Sequence, residues 1–188
     1  MNKQLNFVES LQDSPIIAAV KNDEGLEKAL ASDCTAVFFL YGTILNIAHL
    51  IAKAKRVGKL VFVHTDLIEG LTGKDISVDF IAQYTQADGI ISTRINLIRH
   101  AKELGLITIQ RFFLLDSLAF ENVLRQSSYA DTVDILPGTM PRVIDRLSRK
   151  IRQPIIASGL IIDKQDIMSA LSAGALAVST TSTELWFV

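Results

Sequence analysis

The sequence predicts a single-domain α/β protein whose centre is a parallel sheet of eight strands. Short apolar runs recur along the chain, and each is followed by a segment with helical spacing, which is typical of alternating strands and helices. Several runs are apolar at every position, as strands buried on both faces are. With 188 residues, of which 49% are hydrophobic, the chain can bury one large core. Residues 1–14 precede the first run as an N-terminal extension that can form a helix.

Eight runs have the composition of strands. In chain order they are PIIAAV (15–20), AVFFL (36–40), LVFVHT (60–65), GIIST (89–93), LITIQRFF (106–113), TVDILP (132–137), PIIAS (154–158) and ALAVST (175–180). This number favours a closed barrel over an open sheet, because closure removes both sheet edges and eight strands enclose a space that side chains just fill. The turn after the first run, VKNDEG, also lacks the glycine-rich fingerprint of a dinucleotide-binding sheet. We therefore expect a compact (β/α)8 barrel of the TIM type over residues 1–188.

The segments between the runs carry helix signals. Apolar side chains over residues 44–54 share one helical face, and Gly58 follows as a stop signal. Asp163 is placed to cap a helix over residues 164–173, which ends at Gly174. These signals support the alternation of strands and helices.

The charge balance limits the kinds of partner. The 19 basic and 20 acidic side chains give a net charge of −1, so contact with nucleic acid is confined to a local basic face. Cys34 is the one cysteine and cannot form an internal disulfide, and residues 1–10 lack a signal-peptide pattern, so we expect a cytoplasmic protein. The uncharged run 34–52 approaches the roughly 20 residues of a membrane helix. Gly42 and strand-forming residues interrupt it, so no membrane span is expected.

In a barrel of this type the functional groups lie at the carboxyl ends of the strands. The turn Ser158-Gly159 after the seventh run lets a ligand approach backbone N–H groups closely. Ser179 and Thr180 are predicted to open a short final helix whose N-terminal amides attract an anion. Together these features predict a phosphate site. The alternative is a plain tight turn and helix cap, because serine and threonine commonly precede helices.

Charged side chains from other strands converge on the same mouth. His64 and Asp66 follow the third run and are candidates for a metal site, an acid–base pair or hydrogen bonding to a polyol. A metal site needs a further ligand at close spacing, and the chain has three histidines in all, so none is predicted. Lys21 and Arg111 are the cations placed to neutralise a phosphate or to pair with carboxylates at the mouth.

Three arginines recur at helical spacing after the sixth run, at positions Arg142, Arg146 and Arg149. In a nearly neutral chain they are candidate contacts to the phosphate backbone of a nucleic acid. The alternative is a solvated helix face on which Asp145 is interspersed.

Several longer strings coincide with one family. They are FVHTDLIEG (62–70), DGIISTR (88–94), IQRFFLLDS (109–117), DILPGTMP (134–141), PIIASGLI (154–161) and ALSAGALAVSTTSTELW (170–186). In this order and spacing, from Pro15 to Trp186, the chain resembles the glycerol uptake operon antiterminator regulatory proteins. None of the strings is a catalytic signature, so no catalytic residue is predicted.

The resemblance implies a barrel that responds to glycerol 3-phosphate, binds the leader mRNA of glycerol uptake and utilisation operons, and prevents premature termination without a cofactor. Carried over by position, the phosphate of this effector is expected at Ser158, Gly159, Ser179 and Thr180. Its glycerol end is expected near Lys21, His64, Asp66, Arg111 and Gly138. The chain departs from the family at two positions: a Ser-Gly pair stands where relatives often have two glycines, and Lys21 stands where an arginine is common.

Two alternatives to an RNA-binding regulator stay open at this point. The first is a barrel enzyme acting on a small phosphorylated polyol, with Lys21, His64 and Asp66 as its acid–base or nucleophilic groups. The second is a phosphate-ester sensor that acts through a protein partner. The sequence also leaves a homo-oligomer open.

Overall fold

The computed structural model describes residues 3–188 and confirms the predicted barrel. Eight parallel strands close in sequence order, and β8 pairs with β1. They are β1 (Ile16–Val20), β2 (Ala36–Phe39), β3 (Leu60–His64), β4 (Gly89–Ser92), β5 (Ile107–Phe113), β6 (Thr132–Leu136), β7 (Ile155–Ser158) and β8 (Ala177–Thr180). Each of the eight apolar runs contains one of these strands.

Within residues 3–188, one helix precedes β1 and seven more connect successive strands on the outside of the barrel. They are α1 (Lys3–Asp13), α2 (Asp23–Ala31), α3 (Ile47–Arg56), α4 (Ile76–Tyr84), α5 (Ile95–Glu103), α6 (Ser117–Gln126), α7 (Pro141–Ser148) and α8 (Lys164–Ser172), with short 3-10 helices at Thr65–Leu67, Ser127–Tyr129 and Thr183–Phe187. Within residues 3–188 none of the helices is long and apolar enough to cross a membrane.

Helix α1 lies in the segment predicted as an N-terminal extension, of which the first two residues are outside the described part of the chain. Its Phe7 and Leu11 are fully buried in the cluster that fills the barrel interior. The Phe7 ring centroid lies 4.6 Å from that of Phe62 on β3. Because α1 leads directly into β1, it closes the end of the barrel at which the strands begin. Burial of these two side chains contributes roughly 1.5–3 kcal/mol each.

The inward side of the barrel changes character along the strands. Side chains alternate between the two faces of a strand, and the apolar interior includes Phe62, Ile109, Ile156 and Ala177. Two residues further along each strand, the same inward side carries polar groups. These groups are His64, Arg111, Ser158 and Ser179, and Asp134 stands beside Arg111 in the β5–β6 register.

Most of the helix signals are confirmed, with one exception at α3. Asp163 Oδ1 accepts a hydrogen bond from the Asp166 N–H at 2.9 Å, and Gly174 has a φ of +102° where α8 ends. Helix α3 begins at Ile47, later than the apolar face over 44–54 predicts. The reason is a bridge between Thr43 and Glu69, which holds the residues after Thr43 in a turn.

Candidate functional site

A cavity of about 380 Å³ opens at the carboxyl ends of the strands, mainly around β7 and β8. It is lined by Ala19, Leu40, Arg111, Leu136, Ser158, Gly159, Leu160, Ile161, Ile162, Ser179, Thr180, Thr181 and Ser182. Its volume lies within the roughly 300–1,000 Å³ of small-molecule sites. The four residues predicted to hold a phosphate all line this cavity, together with the predicted cation Arg111. We call it the mouth cavity.

Four backbone N–H groups beside the mouth cavity are free. Those of Gly159, Leu160, Ile161 and Thr181 have no hydrogen-bond partner among residues 3–188. Gly159 and Leu160 have φ values of +75° and +60°. The left-handed conformation costs a leucine roughly 1–2 kcal/mol, and strained backbone of this kind clusters at ligand-binding sites. A concave site with several unpaired N–H groups favours an anion.

The two β8 residues of the predicted phosphate site differ in their surroundings. The Ser179 hydroxyl has no partner in the described part of the chain. The Thr180 hydroxyl donates to the Ile161 carbonyl at 2.7 Å and accepts from the Ser182 N–H at 3.1 Å, so it holds the neighbouring loops. The prediction that these residues open the final helix is wrong. Both belong to β8, and the 3-10 helix begins at Thr183 because the Ser182 N–H is already engaged by Thr180.

Arg111, Asp134 and Ser158 form a buried charged group under the mouth cavity. Arg111 Nε donates to Asp134 Oδ2 at 2.6 Å, and the Ser158 hydroxyl donates to Asp134 Oδ1. The Asp134 side chain is fully buried and that of Arg111 is 7% exposed. A buried charge needs such a partner, because desolvation otherwise costs several kcal/mol. Since Nε is held, the guanidinium is fixed in place, and its terminal amino groups have no partner among the described residues.

His64 is buried and neutral beside this group. Its Nδ1 makes no hydrogen bond within the described residues, and the nearest carboxylate oxygen, Asp66 Oδ2, is 3.8 Å away. Burial and then the charge of Arg111 lower the pKa of His64 to about 4. At pH 7 the imidazole is therefore uncharged and able to donate or accept a hydrogen bond. No group of three or more histidine, cysteine or carboxylate side chains within residues 3–188 is arranged to hold a metal ion.

The structure places Asp66 outside the lining of the mouth cavity. Its carboxylate accepts hydrogen bonds from the Ser92 hydroxyl, from the Thr93 N–H at 2.8 Å, and from Arg94 Nε at 3.2 Å. Asp66 therefore fixes the loop between β4 and α5. This engagement leaves it less available to a ligand than the sequence suggests.

Gly138 and Lys21 flank the mouth cavity from two sides. The Gly138 N–H donates to the Gly159 carbonyl at 3.0 Å, and a Cβ at Gly138 would come within 2.8 Å of the Ser158 backbone nitrogen. A glycine is needed here for the close approach of the two loops. Lys21 is exposed and lines a separate cavity of about 220 Å³, which shares Thr181 with the mouth cavity.

Two of the three arginines predicted to contact RNA, Arg142 and Arg146, lie on the exposed side of α7, and the third, Arg149, is exposed directly after its last residue. The Arg146 guanidinium lies 4.7 Å from the centroid of the Phe120 ring on α6. Arg149 donates to Asp145 Oδ1 at 2.7 Å, whereas Arg142 has no partner among the described residues. The face of α7 is therefore basic and open to solvent.

The sequence matches one known protein family over most of its length. The family described as "Glycerol-3-phosphate responsive antiterminator" matches residues 16–186. The chain belongs to this family. Membership confirms the resemblance seen in the sequence and places the protein among regulators of transcription. The chain is also similar to the protein YgcP of Escherichia coli strain K12, with 42% identity over 178 residues, or 94% of this chain and 93% of that protein.

Solved structures agree with the antiterminator assignment. The glycerol uptake operon antiterminator regulatory protein of Listeria monocytogenes strain 4b F2365 superposes with a TM-score of 0.87 at 34% identity, covering 93% of this chain and 95% of its own. A glycerol uptake operon antiterminator-related protein of Thermotoga maritima MSB8 gives 0.81 at 32% identity, covering 91% and 96%. Aldolases of 14–16% identity share the barrel fold alone.

Two residues of the site were missed by the reasoning from sequence. Asp134 stands within the apolar run TVDILP, and an acidic residue inside a strand buried on both faces is a signal that could have marked it. Leu160 was missed because leucine rarely adopts a positive φ, so its identity carries no sign of the turn that it forms.

Proposed function

We propose that this protein binds glycerol 3-phosphate in the mouth cavity and, in that state, binds the leader mRNA of glycerol uptake and utilisation operons to prevent premature termination. The observation that carries the proposal is the donor set of the mouth cavity. Free N–H groups at Gly159, Leu160 and Thr181, the Ser179 hydroxyl and the Arg111 guanidinium surround one space. Family membership supports both the effector and the regulatory role.

The cavity suits an ester that is anionic at one end and polar at the other. The phosphate accepts from the backbone N–H groups after β7 and β8 and from Ser179, as the sequence predicts for this part of the mouth. The glycerol hydroxyls lie toward Arg111, whose orientation is set by Asp134 at 2.6 Å. His64 is a neutral group close enough to Arg111 for the guanidinium charge to lower the pKa of its imidazole. Asp66 and Lys21 lie at the edge of the proposed ligand site. Asp66 is held by hydrogen bonds to the loop after β4, and Lys21 lines the adjoining cavity.

The exposed face of α7 supports the RNA half of the proposal. Arg142, Arg146 and Arg149 place three guanidinium groups on one side of a short helix, and guanidinium is well suited to phosphate. Binding to a transcript implies a cytoplasmic location. The effector promotes RNA binding only as far as it binds the RNA-competent state more tightly than the other state.

A titration of labelled operon leader RNA, with and without glycerol 3-phosphate, tests the proposal. We expect tight binding when the effector is present and weak binding without it or with glycerol alone. In Ser179→Ala the effector concentration for half-maximal binding should rise about tenfold or more, because one hydrogen bond to a charged group is lost. Ser172→Ala, at an exposed position on α8, serves as the matched control.

The other outcomes separate the alternatives. Replacing Arg142, Arg146 and Arg149 with alanine should weaken RNA binding and flatten its dependence on salt concentration, and an unchanged affinity and salt slope would discard the α7 assignment. Effector binding without any RNA complex would point to a sensor that uses a protein partner. Turnover of glycerol 3-phosphate, followed by phosphorus NMR, would establish an enzyme instead.

A further inference from the structure

A second cavity lies beside the mouth cavity and is not occupied by the effector in the proposed function. It occupies about 520 Å³ between α6 and α7, and its lining is mostly apolar with polar groups at the edge. The lining residues are Leu114, Leu115, Asp116, Ser117, Phe120, Glu121, Met140, Val143 and Arg146. We call this cavity the α6–α7 groove.

We propose that the α6–α7 groove holds an unpaired base of the RNA. This inference rests on the proposed RNA-binding function and specifies the form of RNA that is recognised: a single-stranded segment with a base turned out of any duplex. A base of this kind is bound by stacking on aromatic rings and on guanidinium planes, with hydrogen bonds at its edge.

The groove offers each of these elements. The Arg146 guanidinium lies over the Phe120 ring, 4.7 Å from its centroid, and both side chains line the groove. The ring supports the exposed guanidinium plane, on which a base can stack. The Glu121 carboxylate is exposed on the rim and can accept from an exocyclic amino group of a base. Leu115 is 85% exposed, so the groove presents apolar surface that no part of residues 3–188 covers.

Charge favours RNA over other occupants. Arg142 lies on the same side of α7 as Arg146 and has no partner among the described residues, whereas Arg149, directly after α7, pairs with Asp145. A strand whose base enters the groove therefore runs its phosphates past the unpaired guanidinium of Arg142. A second copy of the chain is less suited to this place. A two-fold contact buries the same patch of both copies, which would bring the two sets of arginines together.

The groove is also joined to the mouth cavity through the backbone. Leu114, which lines the groove, donates its N–H to the carbonyl of Leu136, which lines the mouth cavity, at 2.7 Å. Leu114 stands three residues after Arg111 on the same chain segment. An effector that fixes Arg111 and Leu136 therefore acts on the position of a groove wall. This proximity gives the base pocket a direct connection to effector binding.

The test measures leader RNA binding by fluorescence anisotropy at saturating glycerol 3-phosphate. Phe120→Leu keeps an apolar side chain but removes the ring, and we expect affinity to fall about 5- to 150-fold, since stacking contributes roughly 1–3 kcal/mol per base. The salt dependence of binding should stay the same, because the phosphate contacts remain. Tyr84→Leu removes an exposed aromatic ring from α4 and is the matched control. Unstructured RNA should compete better than a duplex of equal length.

The outcomes distinguish a failure of the base pocket from a failure of the proposed RNA-binding function. If the unaltered protein binds no leader RNA, the proposed function fails. If it binds RNA but Phe120→Leu binds equally well, the base pocket is refuted while the function stands. Leu115→Asn, at an exposed position, provides a second variant should Phe120→Leu fold poorly, and it should also weaken binding. A change of sedimentation coefficient in these variants without a change in RNA affinity would identify the groove as a contact between copies and overturn the proposal.

Discussion

Lowering the pH from 7 to 5 should destabilise the protein through one buried group, His64. In the folded state burial and the nearby Arg111 charge hold the pKa of His64 at about 4, against 6.5 for a free imidazole. Between these two values the unfolded chain binds more protons than the folded chain, so the free energy of unfolding rises with pH. The contribution of His64 is fully present above the unfolded pKa and is lost as the pH falls toward 4. Integration between pH 7 and pH 5 gives a loss of about 2 kcal/mol.

The assay is urea unfolding of the unaltered protein and His64→Gln at pH 7, 6 and 5. Glutamine keeps polar groups at this position but does not titrate. The difference in unfolding free energy between the two proteins should therefore change by about 2 kcal/mol in favour of the variant as the pH falls to 5. A difference that stays constant from pH 7 to pH 5 would refute the buried, neutral histidine.

His100 provides an internal control of opposite sign. Its hydrogen bond to Asp79, at 2.8 Å, raises the pKa of the imidazole above the ordinary value. Its contribution is therefore fully present below the unfolded pKa and is lost as the pH rises through the folded value. Because His100 is present in both proteins, its effect cancels in the difference. In His100→Gln the stabilisation near pH 6 should be reduced, and an identical profile would exclude the pair with Asp79.

Two further predictions concern positions where the barrel admits little change. Asp134→Asn should lower the unfolding free energy by about 3–5 kcal/mol, because Arg111 is left with an unpaired buried charge. The double variant Arg111→Met with Asp134→Leu should lose less unfolding free energy than the sum of the losses in the two single variants. Additive losses in urea unfolding would show that the pair is not coupled. Gly89→Ala should cost more than about 3 kcal/mol or abolish folding, since its Cβ would overlap the Ile107 carbonyl oxygen. The Cβ of Gly58→Ala meets nothing within 4 Å, so this variant should lose only about 1 kcal/mol, because alanine must adopt the positive φ of +79°. Equal losses of stability for Gly89→Ala and Gly58→Ala in thermal unfolding would contradict the predicted difference.

The sequence predicts the barrel well because the strands obey a simple rule. A strand that is covered by helices outside and by packed side chains inside must be apolar at nearly every position, and runs such as AVFFL satisfy this without a contribution from distant residues. Boundaries are less well predicted where a long-range contact intervenes. The start of α3 shows this, because the bridge from Thr43 to Glu69 joins two loops that periodicity does not relate.

The candidate site is predicted in its location but not in its detail. Knowing that strand ends meet at one mouth is enough to bring Ser158, Gly159, Ser179 and Arg111 to one cavity. Which polar groups are free depends on hydrogen bonds that the sequence does not reveal. The Thr180 hydroxyl is engaged by the Ile161 carbonyl and the Ser182 N–H, whereas that of its neighbour Ser179 has no partner among residues 3–188.

The arrangement at the mouth also explains how an effector without catalytic chemistry can act as a switch. A ligand shifts an equilibrium only by its difference in affinity for the two states, and coupling between two sites is typically about 1–3 kcal/mol. In the proposed complex, contacts of that size arise where the phosphate meets the strained turn at Leu160 and where the glycerol end meets Arg111. The Leu136 carbonyl lies between the two cavities and holds the Leu114 N–H. In the proposed complex, effector binding on one side of this hydrogen bond and RNA binding on the other act on the same short stretch of backbone. Linkage then requires each ligand to change the affinity of the other by the same factor.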